Sequence, residues 1–292
     1  MLFRSLMCSR VITHCNRCAI LFIVDCSLSM KNLTRYSNTE MTKMEAATII
    51  VNHFIDELLA RATRLSNVRN YYDIGVIGYS GCEATSLLPD NNRILIDITR
   101  LSEYQPQPKA VYLNNRYPDG TIKRVSFNLH PWIEPTASGA SPMYDAMVLA
   151  KTVLKEWCND PRNNTSYPPL IFHITDSLCS DADIHDLNAI LDEITDIGIH
   201  NDKTILFNVY LATLGEGDMK EEIYPREYTF ATGDRDREFM YNISSSFPRE
   251  LESHVSQFFE PDNEGPYRTV AFNMSPISML SIINIGTQSH KR

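Results

Sequence analysis

Five oxygen-bearing side chains in three separated stretches set the chemical question for this chain. In "FIVDCSLSM" a carboxylate and two hydroxyls stand at every second position, Asp25, Ser27 and Ser29, directly after an apolar run. "SGASPMYDAM" supplies Ser141 just ahead of a helical pattern, and "FHITDS" closes a second apolar run with Asp176. Carboxylate and hydroxyl oxygens are hard donors that suit Mg²⁺, Mn²⁺ or Ca²⁺ rather than zinc. Two carboxylates brought close repel unless something positive lies between them, and a divalent cation is the economical answer. Each stretch also has an ordinary use: Ser27 or Ser29 can close a turn, and Ser141 can cap its helix. It is the recurrence of such donors in three segments that points to a metal site.

The elements that must position these donors follow from hydrophobic patterning. Residues 19–24 form an unbroken apolar run ending at Asp25, which suits a central strand buried on both faces. Met44, Ala47, Val51, Phe54, Ile55 and Leu58 recur at helical spacing, and 71–81 reads as a second strand. Met143, Ala146, Met147, Ala150, Val153, Leu154 and Trp157 predict another amphipathic helix. Strands are expected at 169–177 and 204–212, with a helix at 182–195 between them and shorter helices near 235–247 and 276–283. Strands alternating with helices predict an α/β fold, a mainly parallel sheet with helices on both faces. Two β-prone arms around "PDG" within 83–137 read as a hairpin in an insertion projecting from the sheet's edge. Ligands of such sheets bind beyond the carboxyl ends of the strands, where Asp25 and Asp176 both fall.

With these pieces in order, the chain resembles the von Willebrand factor A family. "FIVDCSLSM" is similar to its Asp-x-Ser-x-Ser motif, "GASPMYDA" to Gly-x-Thr-Pro-Met, and "FHITDS" to the motif that usually ends Thr-Asp-Gly. The stretches "YYDIGVIGYSG", "WIEPTASGASPM", "YPPLIFHITDS", "ILFNVYLA" and "FMYNISSSFP" look like a bacterial cytoplasmic, tellurite-resistance-associated branch. The resemblance implies a Rossmann-like three-layer domain over 19–288, with an extension at 1–18, an insertion at about 83–137 and a tail at 289–292. It also implies a metal-ion-dependent adhesion site made of Asp25, Ser27, Ser29, Ser141 and Asp176, holding Mg²⁺ or else Mn²⁺ or Ca²⁺. Three positions depart from the family pattern: Leu28 replaces a Gly, Ser141 a Thr and Ser177 a Gly.

Other candidates carry less chemistry. Cys15 and Cys18, with Cys8 and His14 nearby, could form half of a zinc site, but four ligands within eleven residues make awkward geometry. Cys26 and Cys179 flank the proposed loop and could form a redox pair, although ordinary packing explains them. His173 on a buried strand reads as a satisfied core histidine, and Asp181 and Asp183 as helix caps. No Gly-rich phosphate loop is present. Asp25 lacks the second Asp two residues on that an aspartate-nucleophile phosphatase needs, because Ser27 stands there.

Composition bounds the function classes. The 292 residues are 43% hydrophobic with a net charge of −9 and no Lys/Arg block, which argues against a general nucleic-acid or anionic-membrane surface. No apolar run reaches the roughly 18 residues of a membrane span, and the first eighteen residues have no uninterrupted signal-peptide core. Seven cysteines at irregular spacing fit a reducing cytoplasm. The expectation is a non-catalytic interaction module whose metal binds an Asp or Glu of a partner protein. The resemblance extends this to a scaffold in a bacterial stress-response or defence system, with a kinase or phosphatase as a candidate partner. The competing expectations are a metal-dependent hydrolase or phosphotransferase, and a structural domain with a vestigial site.

Overall fold

The computed structural model describes residues 12–90, 93–117, 119–176, 179–200, 202–215, 221–225, 234–247 and 267–274. The helix expected at 276–283, Cys8 and Ser177 lie outside these residues. In chain order the described elements begin with β1 (Cys18–Asp25), the ribbon β2 (Leu33–Tyr36) and β3 (Thr39–Thr42), and α1 (Lys43–Ala62). A small ribbon of β4 (Thr63–Arg64) and β5 (Asn67–Val68) leads to β6 (Tyr72–Ser80), β7 (Glu83–Ser86), β8 (Ile96–Asp97) and α2 (Ile98–Glu103). The hairpin β9 (Lys109–Arg116) and β10 (Ile122–Leu129) precedes α3 (Met143–Asn159), β11 (Tyr167–Thr175) and α4 (Ile184–Asp196). The chain continues through β12 (Gly198–Ile199), β13 (Asp202–Lys203), β14 (Ile205–Tyr210), β15 (Glu222–Ile223), α5 (Arg235–Asn242) and β16 (Val270–Phe272).

Among the described residues one eight-stranded sheet runs in the order β15-β16-β14-β11-β1-β6-β7, with β8 also on β6. The five central strands, from β16 to β6, pair parallel, and β15, β7 and β8 join antiparallel at the two sides. β1 is buried along its whole length, which explains its lack of alternation in the sequence. Ile20, Phe22 and Val24 face one layer, with Phe54 and Ile50 of α1, while Ala19, Leu21 and Ile23 face the other, with Met143 and Met147 of α3 and Leu187 of α4. Phe22 meets Phe54 edge-on at 5.3 Å and stacks on Phe172 of β11 at 5.5 Å between centroids. Each such buried side chain contributes about 2 kcal/mol relative to exposure. The result is the three-layer, Rossmann-like α/β architecture expected from the sequence.

Connections leaving β1 and β11 diverge. From β1 the chain crosses through α1 to β6 on one side, and from β11 it crosses through α4 to β14 on the other. The carboxyl ends of β1 and β11 therefore flank a topological switch point, where an α/β sheet leaves a crevice. Asp25 ends β1, and Asp176 follows β11 directly.

The segment expected as an insertion does two things. β7 and β8 widen the sheet at β6, and the hairpin β9/β10 leans on α1, where Phe127 meets His53 edge-on at 6.0 Å. Leu113 and Leu129 of the hairpin are buried. The segment that follows the return strand is clamped to α1: Asp56 accepts hydrogen bonds from the His130 and Trp132 side chains, and Asn52 both donates to and accepts from the Ile133 backbone.

Candidate functional site

Asp25 is fully buried and holds three loops together. Its Oδ1 accepts the Ser27 backbone N–H at 2.8 Å, and its Oδ2 accepts the hydroxyls of Thr175 at 3.0 Å and Ser141 at 3.2 Å. Burial pushes its carboxyl above the usual range; the hydrogen bonds from Ser27 and Thr175 pull it down, and the charge of Asp176 adds to the upward push. After Asp25 the chain makes a short 3₁₀ turn at Leu28–Lys31, which sets the Ser27 and Ser29 hydroxyls 3.0 Å apart. Leu28 points outward, more than half exposed, so its side chain does not intrude among the oxygens.

The loop carrying Ser141 is tied to both neighbours. Gly139 O accepts the Leu28 N–H, Cys26 O accepts the Ser138 N–H, and Ala140 O accepts the Gly81 N–H. Gly139 has a φ of +66°, and a Cβ there would lie 2.7 Å from the Gly81 Cα, so both conformation and space demand glycine. From the other side Ser180 Oγ accepts the Ser141 N–H, and Asp181 accepts the N–H groups of Tyr144 and Asp145 at 3.0 and 2.9 Å. Asp181 thus caps α3, whose own N-cap, Pro142, has no side-chain cap. Asp183 caps α4. Ser141, expected as a helix N-cap in its ordinary role, turns its hydroxyl to Asp25 instead.

The five expected residues are therefore assembled by three loops: Asp25, Ser27 and Ser29 from the first, Ser141 from the second, and Asp176 from the third. All but Ser29 are buried. One group in the cluster was not anticipated. Lys43, the first residue of α1, reaches in and places its Nζ 2.9 Å from Asp176 Oδ2, with both side chains almost wholly buried. The positive charge that the two carboxylates call for is thus partly supplied by the chain itself. Asp176 Oδ1 is buried and finds no hydrogen-bond partner among the described residues. Two carboxylates against one ammonium leave a deficit of positive charge, and three hydroxyls add neutral oxygens. That donor set fits a hard divalent cation. Among the described residues no group of three or more His, Cys, Asp or Glu converges on a metal site, and this cluster too brings only two carboxylates, the rest of its donors being hydroxyls.

Lys43 and Thr175 were missed from the sequence. Thr175 has only its place before Asp176 to mark it. Lys43 had a readable signal, since a cation at the first position of a helix opposes the helix dipole. Thr42 and Glu45 form a capping box that starts the helix there in spite of it, and the Lys43 N–H is held by Asn32 O at the end of the 3₁₀ turn.

The remaining candidates resolve simply. His173 is buried between the Tyr79 hydroxyl at 2.9 Å and Asn208 Oδ1 at 3.0 Å, and burial lowers its pKa to about 4. Cys15 is exposed, while Cys18 is buried at the start of β1 with its thiol facing the backbone carbonyls of Ala19 and Pro168. Cys26 and Cys179 are both free thiols, and burial pushes Cys26 up to about 12.

No family model matches the chain, and no curated protein matches it. Among solved structures it is similar to a von Willebrand factor type A protein from Catenulispora acidiphila, with 14% identity and a TM-score of 0.38 over 66% of this chain. The alignment spans 33% of that protein's length, about a third. It is also similar to an uncharacterized membrane-spanning protein from Vibrio fischeri, with 14% identity and a TM-score of 0.28 over 83% of this chain and 98% of that one. The fold assignment rests on the strand order itself and not on these matches. Among the described residues no helix is long and apolar enough to cross a membrane.

Proposed function

We propose that this chain is a non-catalytic protein-interaction module of the von Willebrand factor A type, whose contact point is the oxygen cluster at the switch point between β1 and β11. The observation that carries this reading is the convergence of Asp25, Ser27, Ser29, Ser141 and Asp176 from three loops, with Asp176 Oδ1 buried and unpartnered among the described residues. These residues would hold Mg²⁺, Mn²⁺ or Ca²⁺, and the bound ion supplies an open coordination position for an Asp or Glu of a partner protein. Leu28 and Leu33, both about half exposed, lie on the segments bordering the cluster and offer apolar contact around a carboxylate anchor. His173, Cys26 and the capping aspartates are all engaged in the scaffold, so none is free to act as a base or nucleophile. Following the resemblance, the setting would be a bacterial cytoplasmic stress-response or defence scaffold, with a kinase or phosphatase as a candidate partner.

Titration calorimetry with Mg²⁺ and Mn²⁺ tests the reading. Asp25→Asn keeps the side-chain shape and should abolish cation binding while the protein stays folded by circular dichroism. Unchanged affinity in this variant would remove the cluster as the cation site.

A further inference from the structure

The ammonium of Lys43 sits where a cation would be sought. It is an unusual place for a lysine on three counts. It opens a twenty-residue helix at its positive end, it is almost fully buried, and its ion-pair partner, Asp176, lies 133 residues away on the far loop of the cluster. The first two are unfavourable for a lysine, since the dipole repels it and burial strips its hydration, and holding the side chain in one rotamer costs entropy besides. A local rule broken this consistently marks a residue kept for the site and not for the helix. The capping box and the backbone bond to Asn32 hold the Lys43 backbone, so the side chain is delivered to Asp176 from a fixed point.

From this we infer that Lys43 is a tethered cation that competes with the divalent ion for Asp176 and sets the affinity of the site. With the ammonium in place, the buried pair keeps the Asp176 charge neutralised and the loops assembled in the absence of metal. When an ion takes Asp176, two positive groups cannot share one carboxylate at close range in a partly desolvated setting, so the ammonium is displaced toward solvent. Occupancy then depends on ion concentration, and ion binding is coupled to a movement at the start of α1. The inference rests on the divalent-cation reading of the cluster. It adds that the apparent affinity is weakened by a residue of the chain itself.

The test compares the wild-type chain with Lys43→Met, which keeps the stem and removes the charge. Calorimetry with Mn²⁺ should show Lys43→Met binding about tenfold tighter or more than wild type. Adding Asp176→Asn to that variant should abolish the gain. Lys43→Met should also melt below wild type in chelator, because a buried carboxylate has lost its partner, and should recover with saturating Mn²⁺. Should the variant not fold, the wild-type protein gives a second readout. Lys43 should be protected from an amine-reactive reagent in chelator and become reactive in saturating Mn²⁺, as read by mass spectrometry. Equal or weaker affinity in Lys43→Met, or unchanged protection of Lys43 in wild type with ion demonstrably bound, would overturn the competition while leaving the cation site standing. Absence of binding in both wild type and Lys43→Met would sink both.

Discussion

Asp25 uses both of its oxygens inside the protein, on a backbone N–H and two hydroxyls, so it fastens the loops as well as offering charge. Replacing it by Ala therefore does more than delete a ligand, which is why the amide is the cleaner probe. His173 shows the opposite case, a titratable residue whose role is fully structural. Its folded pKa of about 4 lies below the ordinary value of 6.5, so the unfolded chain binds its proton more readily. Stability from this residue is complete above about pH 6.5 and is lost as pH falls toward 4, by up to about 3 kcal/mol. Urea unfolding of wild type and His173→Gln between pH 7.5 and 5 checks this. The stability difference between them should shrink as the pH drops, and a difference independent of pH would show that the histidine does not enter the folded state neutral.

At the scale of elements, the site depends on loops that hold one another. The second loop is pinned between Gly81 on one side and Ser180 and Asp181 on the other, and α3 begins from that clamp. Asp181→Ala removes the acceptor for two N–H groups of a helix whose own N-cap offers none, and should cost about 1 kcal/mol. Gly139→Ala should cost more, on the order of 2 kcal/mol, since it combines a left-handed backbone with a contact onto Gly81 backbone that cannot give way. Both changes should also weaken cation binding by displacing Ser141, although neither residue belongs to the proposed ligand set. Chemical denaturation paired with calorimetry measures the two effects together, and a loss of stability with unaltered binding would show that Ser141 is held by other contacts.

For the whole molecule, the segment between β6 and α3 is not a detachable ornament. β7 and β8 belong to the sheet, and the hairpin packs Leu113, with Val111 and Phe127, into the layer that contains α1, while its Leu129 is buried as well. Replacing the hairpin by a short flexible link should lower stability by about 4 kcal/mol, from two buried leucines at about 2 kcal/mol each. The helical and strand content of the remainder should persist, since β1, β6, β11 and β14 make none of their ladders through it. A thermal melt with far-ultraviolet circular dichroism decides this, and an unchanged melting temperature would show that the hairpin adds nothing to the core. At the other end, Ile12 is buried in the same core, so the described part of the N-terminal extension is also tied to the domain.

What the sequence determined by itself was the alternation of elements and the three oxygen-bearing loops. Both are local: an apolar run long enough for a strand, a helical period, and a donor placed where the run stops. The core helices were legible because Met143 to Trp157 and Met44 to Leu58 each repeat one face. The order of strands in the sheet was not legible, and only that order makes β1 and β11 neighbours and so brings Asp176 beside Asp25. Nor could spacing along the chain pair Lys43 with Asp176 or send Asp181 to cap a helix that begins before it. Those contacts join residues far apart in sequence, and their energy exists only once the sheet has closed around them. The sequence marked the acidic ends of two strands, and the tertiary structure decided which positive charge would meet them, because a buried carboxylate takes whatever cation the folded chain brings within reach.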